Sequence, residues 1–231
     1  MKKHTLILVF SLLVSNLSKA QGNHKEFYSS GQLKLIGQLD NGKRTGEWKF
    51  YHEDGTLYRV GMYKPVKAYG YWDYDGKEIG EWKNYYQNGN LRSIGSFGIR
   101  KEWTNEDGED EYINYKTGKW KYYYDNGQLK STGEYKVNNE TGVWKFYHEN
   151  GKLRSIGKYE DGARTGAWEF YHENGKVSTV GQFSQGKFIG IWKSYHENGK
   201  LKSIGKYEND EKAGDWDIYN EDGVLIEIIK Y

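Results

Sequence analysis

Short runs in which apolar and polar residues alternate, separated by Gly-containing pairs, recur from residue 24 to the end of the chain. In Trp144 to His148 and Leu153 to Tyr159 the alternation has the two-residue period of a strand with one covered face. Asn150-Gly151 lies between these two runs. Asp54-Gly55, Asn88-Gly89, Asn126-Gly127, Asn174-Gly175, Asn198-Gly199 and Asp222-Gly223 hold the same place in other units. Because both residues of such a pair tolerate positive φ, each is expected to close a β-hairpin. The segment from Glu160 to Thr165, with Gly162, is expected to make a looser return to the next unit.

The alternation is part of a longer repeat. Trp120, Trp144, Trp168, Trp192 and Trp216 stand 24 residues apart. Measured from each Trp, a Gly stands two before, Tyr three after, Gly seven after, Leu or Val nine after, Gly thirteen after and Tyr or Phe fifteen after. The frame also fits Gly46, Trp48, Tyr51, Gly55, Gly61 and Tyr63, and again Gly80, Trp82, Tyr85, Gly89, Gly95 and Phe97. His24 stands at a Trp position and Ile229 at a Gly position. Two stretches depart from the frame. The unit of Trp72 is cut short by Trp82, and Trp103 precedes an acidic insertion with Glu106, Asp107, Glu109, Asp110 and Glu111. Residues 64–117 are therefore expected to be irregular.

Two registers fit one unit. A two-residue type I′ turn places Trp144 opposite Gly157, on one face with Phe146, Leu153 and Tyr159. A three-residue turn ending in a Gly bulge pairs Trp144 with Ile156 and Tyr147 with Leu153. The first is preferred, because a ring over a strand Gly covers bare backbone. An isolated hairpin is marginal in water, so successive units are expected to stack into an elongated, single-layer, twisted antiparallel sheet, an all-β fold. Trp48, Tyr51, Gly55, Gly61, Trp82, Trp120, Trp144, Tyr147, Gly151, Gly157, Trp168, Trp192 and Trp216 are read as the residues that build it.

Composition agrees with strands. A hydrophobic content of 36% is lean for a thick core, and the apolar residues are skewed to rings, with 22 Tyr, 9 Trp and 8 Phe beside 30 Gly. Residues 1–20 fall outside the repeat. Lys2 and Lys3 precede the apolar run Leu6 to Val14, and Ser18-Lys19-Ala20 supplies small residues for cleavage, so a secretory signal peptide cut near Ala20 is expected. That run is well short of the ~20 residues that span a bilayer. The expected product is an exported chain, periplasmic or secreted, with residues 21–231 forming the array. Losing Lys2, Lys3 and Lys19 from 34 basic side chains leaves 31 against 32 acidic ones, a formal charge of about −1. Such a balance lacks the basic excess that nucleic acid demands. Without Cys, no disulfide or thiolate metal site is available.

Gly-x-Trp-Lys-x-Tyr, followed by Asn-Gly-x-Leu and x-Gly-x-Tyr, resembles the MORN-repeat variant of bacterial YwqK-type antitoxins, over essentially all of residues 24 to 231. The resemblance implies hairpins stacked in an elongated single sheet and carries no catalytic residue across. For the broader class it implies protein scaffolding and membrane or phospholipid contact, and the antitoxin kinship implies a toxin partner.

His52, His148, His172 and His196 share one position, as do Glu149, Glu173 and Glu197. Equivalent atoms two strands apart lie ~9 to 10 Å from one another. Zinc needs its nitrogens at ~2.0 to 2.1 Å, so the histidines do not converge on one ion and are read as flanking the turns. The same spacing disfavours a working carboxylate pair, and no phosphate loop or nucleophile elbow occurs. The acidic insertion is read as a solvated loop. No catalytic residue, metal or cofactor is expected. The Trp ladder is assigned to structure, and Tyr51, Tyr85, Tyr123, Tyr147, Tyr171, Tyr195 and Trp103 are the candidate binding residues. Lys49, Lys83, Lys121, Lys145 and Lys193 form a basic row, read as a solvated face near acids such as Glu53 and Glu149, with lipid headgroups not expected. The function these features predict is noncatalytic binding of a protein partner or envelope scaffolding. A glycan or peptidoglycan module and an antitoxin holding a toxin are the alternatives.

Overall fold

The computed structural model describes residues 23–66, 76–104 and 110–231, and all its regular elements are strands. In chain order they are β1 (His24–Phe27), β2 (Leu33–Asp40), β3 (Lys43–Tyr51), β4 (Leu57–Lys64), β5 (Lys77–Tyr85), β6 (Leu91–Thr104), β7 (Asp110–Tyr123) and β8 (Leu129–Lys136). There follow β9 (Asn139–Tyr147), β10 (Leu153–Glu160), β11 (Ala163–Tyr171), β12 (Val177–Ser184), β13 (Lys187–Tyr195), β14 (Leu201–Glu208), β15 (Glu211–Tyr219) and β16 (Leu225–Lys230). Each pairs antiparallel with the strand before and after it, giving one open 16-stranded meander. This is the all-β hairpin array that the repeat predicts. The expected signal peptide and Trp72 lie outside the described residues.

The segment expected to be irregular contains β5 and two long strands. β6 and β7, 14 residues each, pair from Ser93 with Tyr122 out to Thr104 with Asp110. Ile99, Trp103, Tyr112, Ile113 and Tyr115 carry enough β-branched and aromatic character to hold strand geometry through a charged stretch. Of the acidic insertion, Asp110 and Glu111 belong to β7, whereas Glu106, Asp107 and Glu109 lie outside the described residues.

The two kinds of turn are the reverse of the expectation. At Asn150-Gly151, the Gly151 N–H donates to His148 O at 2.9 Å and the His148 N–H to Lys152 O at 2.8 Å. Only Gly151, with φ 82°, is left-handed there. This is a three-residue loop, a type I turn closed by a Gly bulge, and Asn150 acts through its side chain, accepting from the Lys152 N–H at 3.0 Å. The two-residue turns are the returns between units. Asn41-Gly42 and Asp161-Gly162 have positive φ at both residues, as type I′ requires, and Glu160 pairs with Ala163 across the second. Val137-Asn138 and Asn209-Asp210 adopt the same conformation without Gly.

The register combines parts of both alternatives. Tyr147 pairs with Leu153, and a bulge at Arg154 then restores Phe146 to Ser155 and Trp144 to Gly157. Leu153 therefore pairs beside Tyr147 and not with the Trp row. The ring of Trp144 does not cover Gly157, its partner in the same hairpin. It lies over Gly133 of the preceding unit, and Trp168 in turn lies over Gly157, where a Cβ would stand 2.1 Å from Trp168 Cδ2. The same contact joins Gly37 to Trp48, Gly61 to Trp82, Gly95 to Trp120, Gly181 to Trp192 and Gly205 to Trp216. On β16, Ile229 takes the Gly position opposite Trp216, so its side chain occupies the volume that a further Trp would need.

A bulge makes room for each indole. Pairing steps from Gly157 with Trp168 to Lys158 with Thr165, passing over left-handed Gly166 and Ala167. Lys158 O then accepts the Trp168 Nε1–H at 3.2 Å, as Glu134 O does for Trp144 and Lys206 O for Trp216. Rings close the sides. Tyr159 meets Trp168 edge-on at 5.3 Å and Phe183 meets it at 5.9 Å, while Phe170 stacks at 5.9 Å. Arg164 lies over the ring at 4.8 Å. Trp168 is thus 1% exposed in a sheet with no second layer.

Gly157→Ala forces Trp168 off its site. A loss on the order of 3 kcal/mol is expected by denaturant unfolding, comparable to truncating the Trp itself. Gly151→Ala, which only strains a turn, is expected to cost about 1 kcal/mol.

Candidate functional site

Strand alternation divides the residues around each Trp between two faces. The Trp and the residue two after it, such as Trp168 and Phe170, share the ring face. The residues one and three after it, such as Glu169 and Tyr171, share the other, where the Tyr171 hydroxyl donates to the Glu169 carboxylate. The sequence-predicted Tyr51, Tyr85, Tyr123, Tyr147, Tyr171 and Tyr195 all stand on this second face and all are half-buried. Except for Tyr171, their hydroxyls make no hydrogen bond to the described residues. Each ring neighbours a Leu or Val of the next strand, as in Tyr123 with Leu129, so a Tyr–Leu row crosses the sheet. Trp103 is not part of it. It lies on the extension of β6 opposite Glu111, and its side chain lies outside what is described.

Two residues along each strand runs a second row. Lys49, Lys83, Lys121, Lys145, Glu169, Lys193 and Asp217 alternate with Val60, Ile94, Thr132, Ile156, Val180, Ile204 and Ile228. The acids that neutralise lysines here are not Glu53 or Glu149. Glu47 pairs with Lys49 at 3.2 Å and Glu81 with Lys83 at 3.3 Å, two residues back on the same strand. The hydrogen bond and charge of Glu47 raise the Lys49 pKa. In the later units Lys119, Val143 and Ile191 stand where those glutamates stood, and Lys121, Lys145 and Lys193 have no ion pair among the described residues. Glu169 is engaged with Tyr171, whose hydroxyl is pushed up to about 12 by that hydrogen bond and by burial.

The histidines have a use that spacing alone missed. His148 Nε2 donates to Tyr171 O, His172 Nε2 to Tyr195 O and His196 Nε2 to Tyr219 O, each at 2.9 Å, so each imidazole ties its turn to the next unit. Tyr28 and Tyr124 do the same with their hydroxyls. Asn174 Nδ2 donates to Glu197 O at 2.9 Å and Lys176 Nζ to Asn198 O at 2.9 Å, completing a ladder along the turn edge. No group of three or more His, Asp or Glu able to hold a metal exists among the described residues. Sequence reading also missed the cations over the rings, Arg44, Lys116, Arg164 and Lys212. Their signal was a basic residue four before the Trp in four units.

This geometry, repeated units of strand, Gly turn and strand locked ring to glycine, is matched by the family model described as MORN repeat variant. It matches residues 20–41, 44–64, 78–97, 116–136, 140–161, 164–185 and 189–209, and the chain belongs to that family. It is therefore a repeat protein of the binding or scaffolding kind, in a class that generally mediates protein or membrane interactions. No curated protein matches it. Among solved structures it is similar to a chain of "Crystal Structure of TcdB2-TccC3-Cdc42", at 12% identity and TM-score 0.26, covering 85% of this chain and 11% of that one. A chain of "Crystal Structure of TcdB2-TccC3-TEV" is matched at 12% identity and TM-score 0.23, covering 87% and 11%. The chain thus spans about a tenth of the length of these solved chains.

One carboxylate has a defined acid response. Asp54 accepts from the Thr56 hydroxyl, the Gln87 amide and the Thr56 N–H, which hold its pKa down to about 2. A depressed folded pKa stabilises above the unfolded value near 4 and is lost as pH falls toward 2. Asp54→Asn is expected to flatten the fall in stability between pH 4 and 2, read by urea unfolding at each pH.

Proposed function

We propose that this chain is an exported, noncatalytic repeat protein that binds a protein partner or scaffolds an envelope assembly. The observation that carries the reading is the division of labour between the two faces. The ring face, the turn ladder and the glycines are consumed in joining unit to unit. The opposite face presents an extended field of tyrosine, lysine and aliphatic side chains, in which Lys121, Lys145 and Lys193 have no ion pair among the described residues. Such a field suits recognition of an extended partner. Export is inferred from Lys2, Lys3, the apolar run Leu6 to Val14 and the Ser18-Lys19-Ala20 site.

The row of half-buried tyrosines, whose hydroxyls except that of Tyr171 make no hydrogen bond among the described residues, supports a second reading, a glycan or peptidoglycan-binding module, since such rings offer flat platforms for sugars. The family resemblance supports a third, binding of a toxin, which requires the two proteins to share a compartment.

Cross-linking mass spectrometry on intact cells is expected to return a processed chain beginning at Gln21 joined to an envelope protein through the tyrosine face. An uncut, cytosolic chain joined to a toxin would favour the third reading. Retention on peptidoglycan with no protein cross-link would favour the second.

A further inference from the structure

Within a repeat lattice, positions that the lattice requires do not vary, so collective departures among the free positions point to a ligand. The row one residue after each Trp departs in this way. Its first two lysines are half-buried and neutralised by Glu47 and Glu81. From the unit of Trp120 onward it reads Lys121, Lys145, Glu169, Lys193 and Asp217, the first four exposed and the lysines without ion pairs among the described residues. Half-buried Thr132, Ile156, Val180 and Ile204 separate these charges, and the Tyr–Leu row runs alongside.

Resting on the protein-binding reading above, we propose that this face docks an extended segment of a partner polypeptide whose charges complement the row. Equivalent positions recur every ~9 to 10 Å across the strands. A segment in the extended polyproline II conformation has three residues per turn and advances about 3.1 Å per residue, so every third residue lies on one side and meets the next charge ~9.3 Å on. The complementary segment carries acidic, acidic, basic, acidic and basic residues at every third position over about 13 residues. Apolar residues between them meet Ile156, Val180 and Ile204. The two carboxylates in the row repel a uniform polyanion such as an acidic polysaccharide. The right-handed twist of a long sheet turns successive lysines out of any single plane, which disfavours a flat membrane and suits a flexible peptide.

The test uses the full chain and fluorescein-labelled synthetic peptides read by anisotropy. One peptide has Asp, Asp, Lys, Asp and Lys at every third position with Ala, Val and Thr between. The second has the same composition with the charges permuted, and the third is poly-glutamate. Saturable binding of the first, at least about tenfold tighter than the second and weakened by salt, is expected. Lys145→Glu is expected to weaken it about tenfold, and a peptide with Lys at the facing position to restore it. Lys49→Glu, in the part of the row before Trp120 where Glu47 already neutralises the lysine, is expected to leave it unchanged. Equal binding of ordered and permuted peptides overturns the proposal. So does tighter binding of poly-glutamate, or a Glu169→Lys variant that binds anionic vesicles of phosphatidylglycerol better than the ordered peptide. A protein partner cross-linked in cells at residues away from this row would overturn the docking face while leaving the protein-binding reading intact. Absence of any protein cross-link would remove that wider reading.

Discussion

An indole ring can lie flat on a β-strand only where the strand has no side chain, and the whole array depends on that fit. Each of Trp48, Trp82, Trp120, Trp144, Trp168, Trp192 and Trp216 stands 2.0 to 2.1 Å from where the Cβ of a preceding glycine would be, a separation that no other residue permits. The contact joins consecutive units and not the two strands of one hairpin. A single unit therefore leaves its own glycine bare and lacks a glycine for its own ring. Stability must come from neighbours, as in other one-dimensional arrays. Ile229, which fills the glycine position on β16, ends the sequence of such contacts by occupying the next ring's space.

The remaining ring-face features serve the same contact. Left-handed Gly166 and its equivalents create a bulge, which leaves a carbonyl of the neighbouring strand to accept the indole N–H of Trp120, Trp144, Trp168 and Trp216. Trp48 and Trp192 donate to Thr45 O and Ile189 O of their own strands, and Trp82 Nε1 has no partner among the described residues. Edge-on Tyr or Phe rings and an overlying Arg or Lys then exclude water from both sides of the indole. Three units differ at the cation position: Trp144 has Glu140 there, Trp192 has Phe188, whose ring packs on it at 4.7 Å, and Trp82 has Glu78, which at 2.8 Å holds Arg59 over the Trp82 ring at 4.1 Å. A sheet one layer thick thereby buries large side chains without a second sheet or a helix to cover them. With that face committed to cohesion, the opposite face is free to vary from unit to unit, and it does so in charge.

Much of this was legible from residue spacing. The 24-residue period, the hairpin, the pairing of Trp144 with Gly157 and the structural assignment of the Trp and Gly positions all follow from alternation and from the strictness of the frame. The turn types were misassigned because Asn-Gly serves both as a two-residue turn and as the end of a type I turn with a Gly bulge, and only backbone angles separate these. The true two-residue returns vary in composition, from Asp161-Gly162 to Val137-Asn138, so their signal is diluted. The segment 64–117 reads as irregular because its charges mask a strand period carried by Ile99, Tyr112 and Ile113. The tyrosine row was visible as a candidate surface, while the lysines without an ion pair among the described residues were not, since pairing depends on which residue shares a face two positions away.

The sequence by itself determined the repeat, its period and the residues that must be large or absent of side chain, because these are local demands of strand geometry and ring size. Which glycine each ring covers, which turn bonds to which, and which lysines stay unneutralised were decided only in the tertiary structure. The ring and turn contacts join residues of different units 10 to 23 positions apart, as Lys158 O with Trp168 Nε1 and His148 Nε2 with Tyr171 O do, and a repeating pattern looks the same whether a ring folds onto its own hairpin or onto its neighbour's.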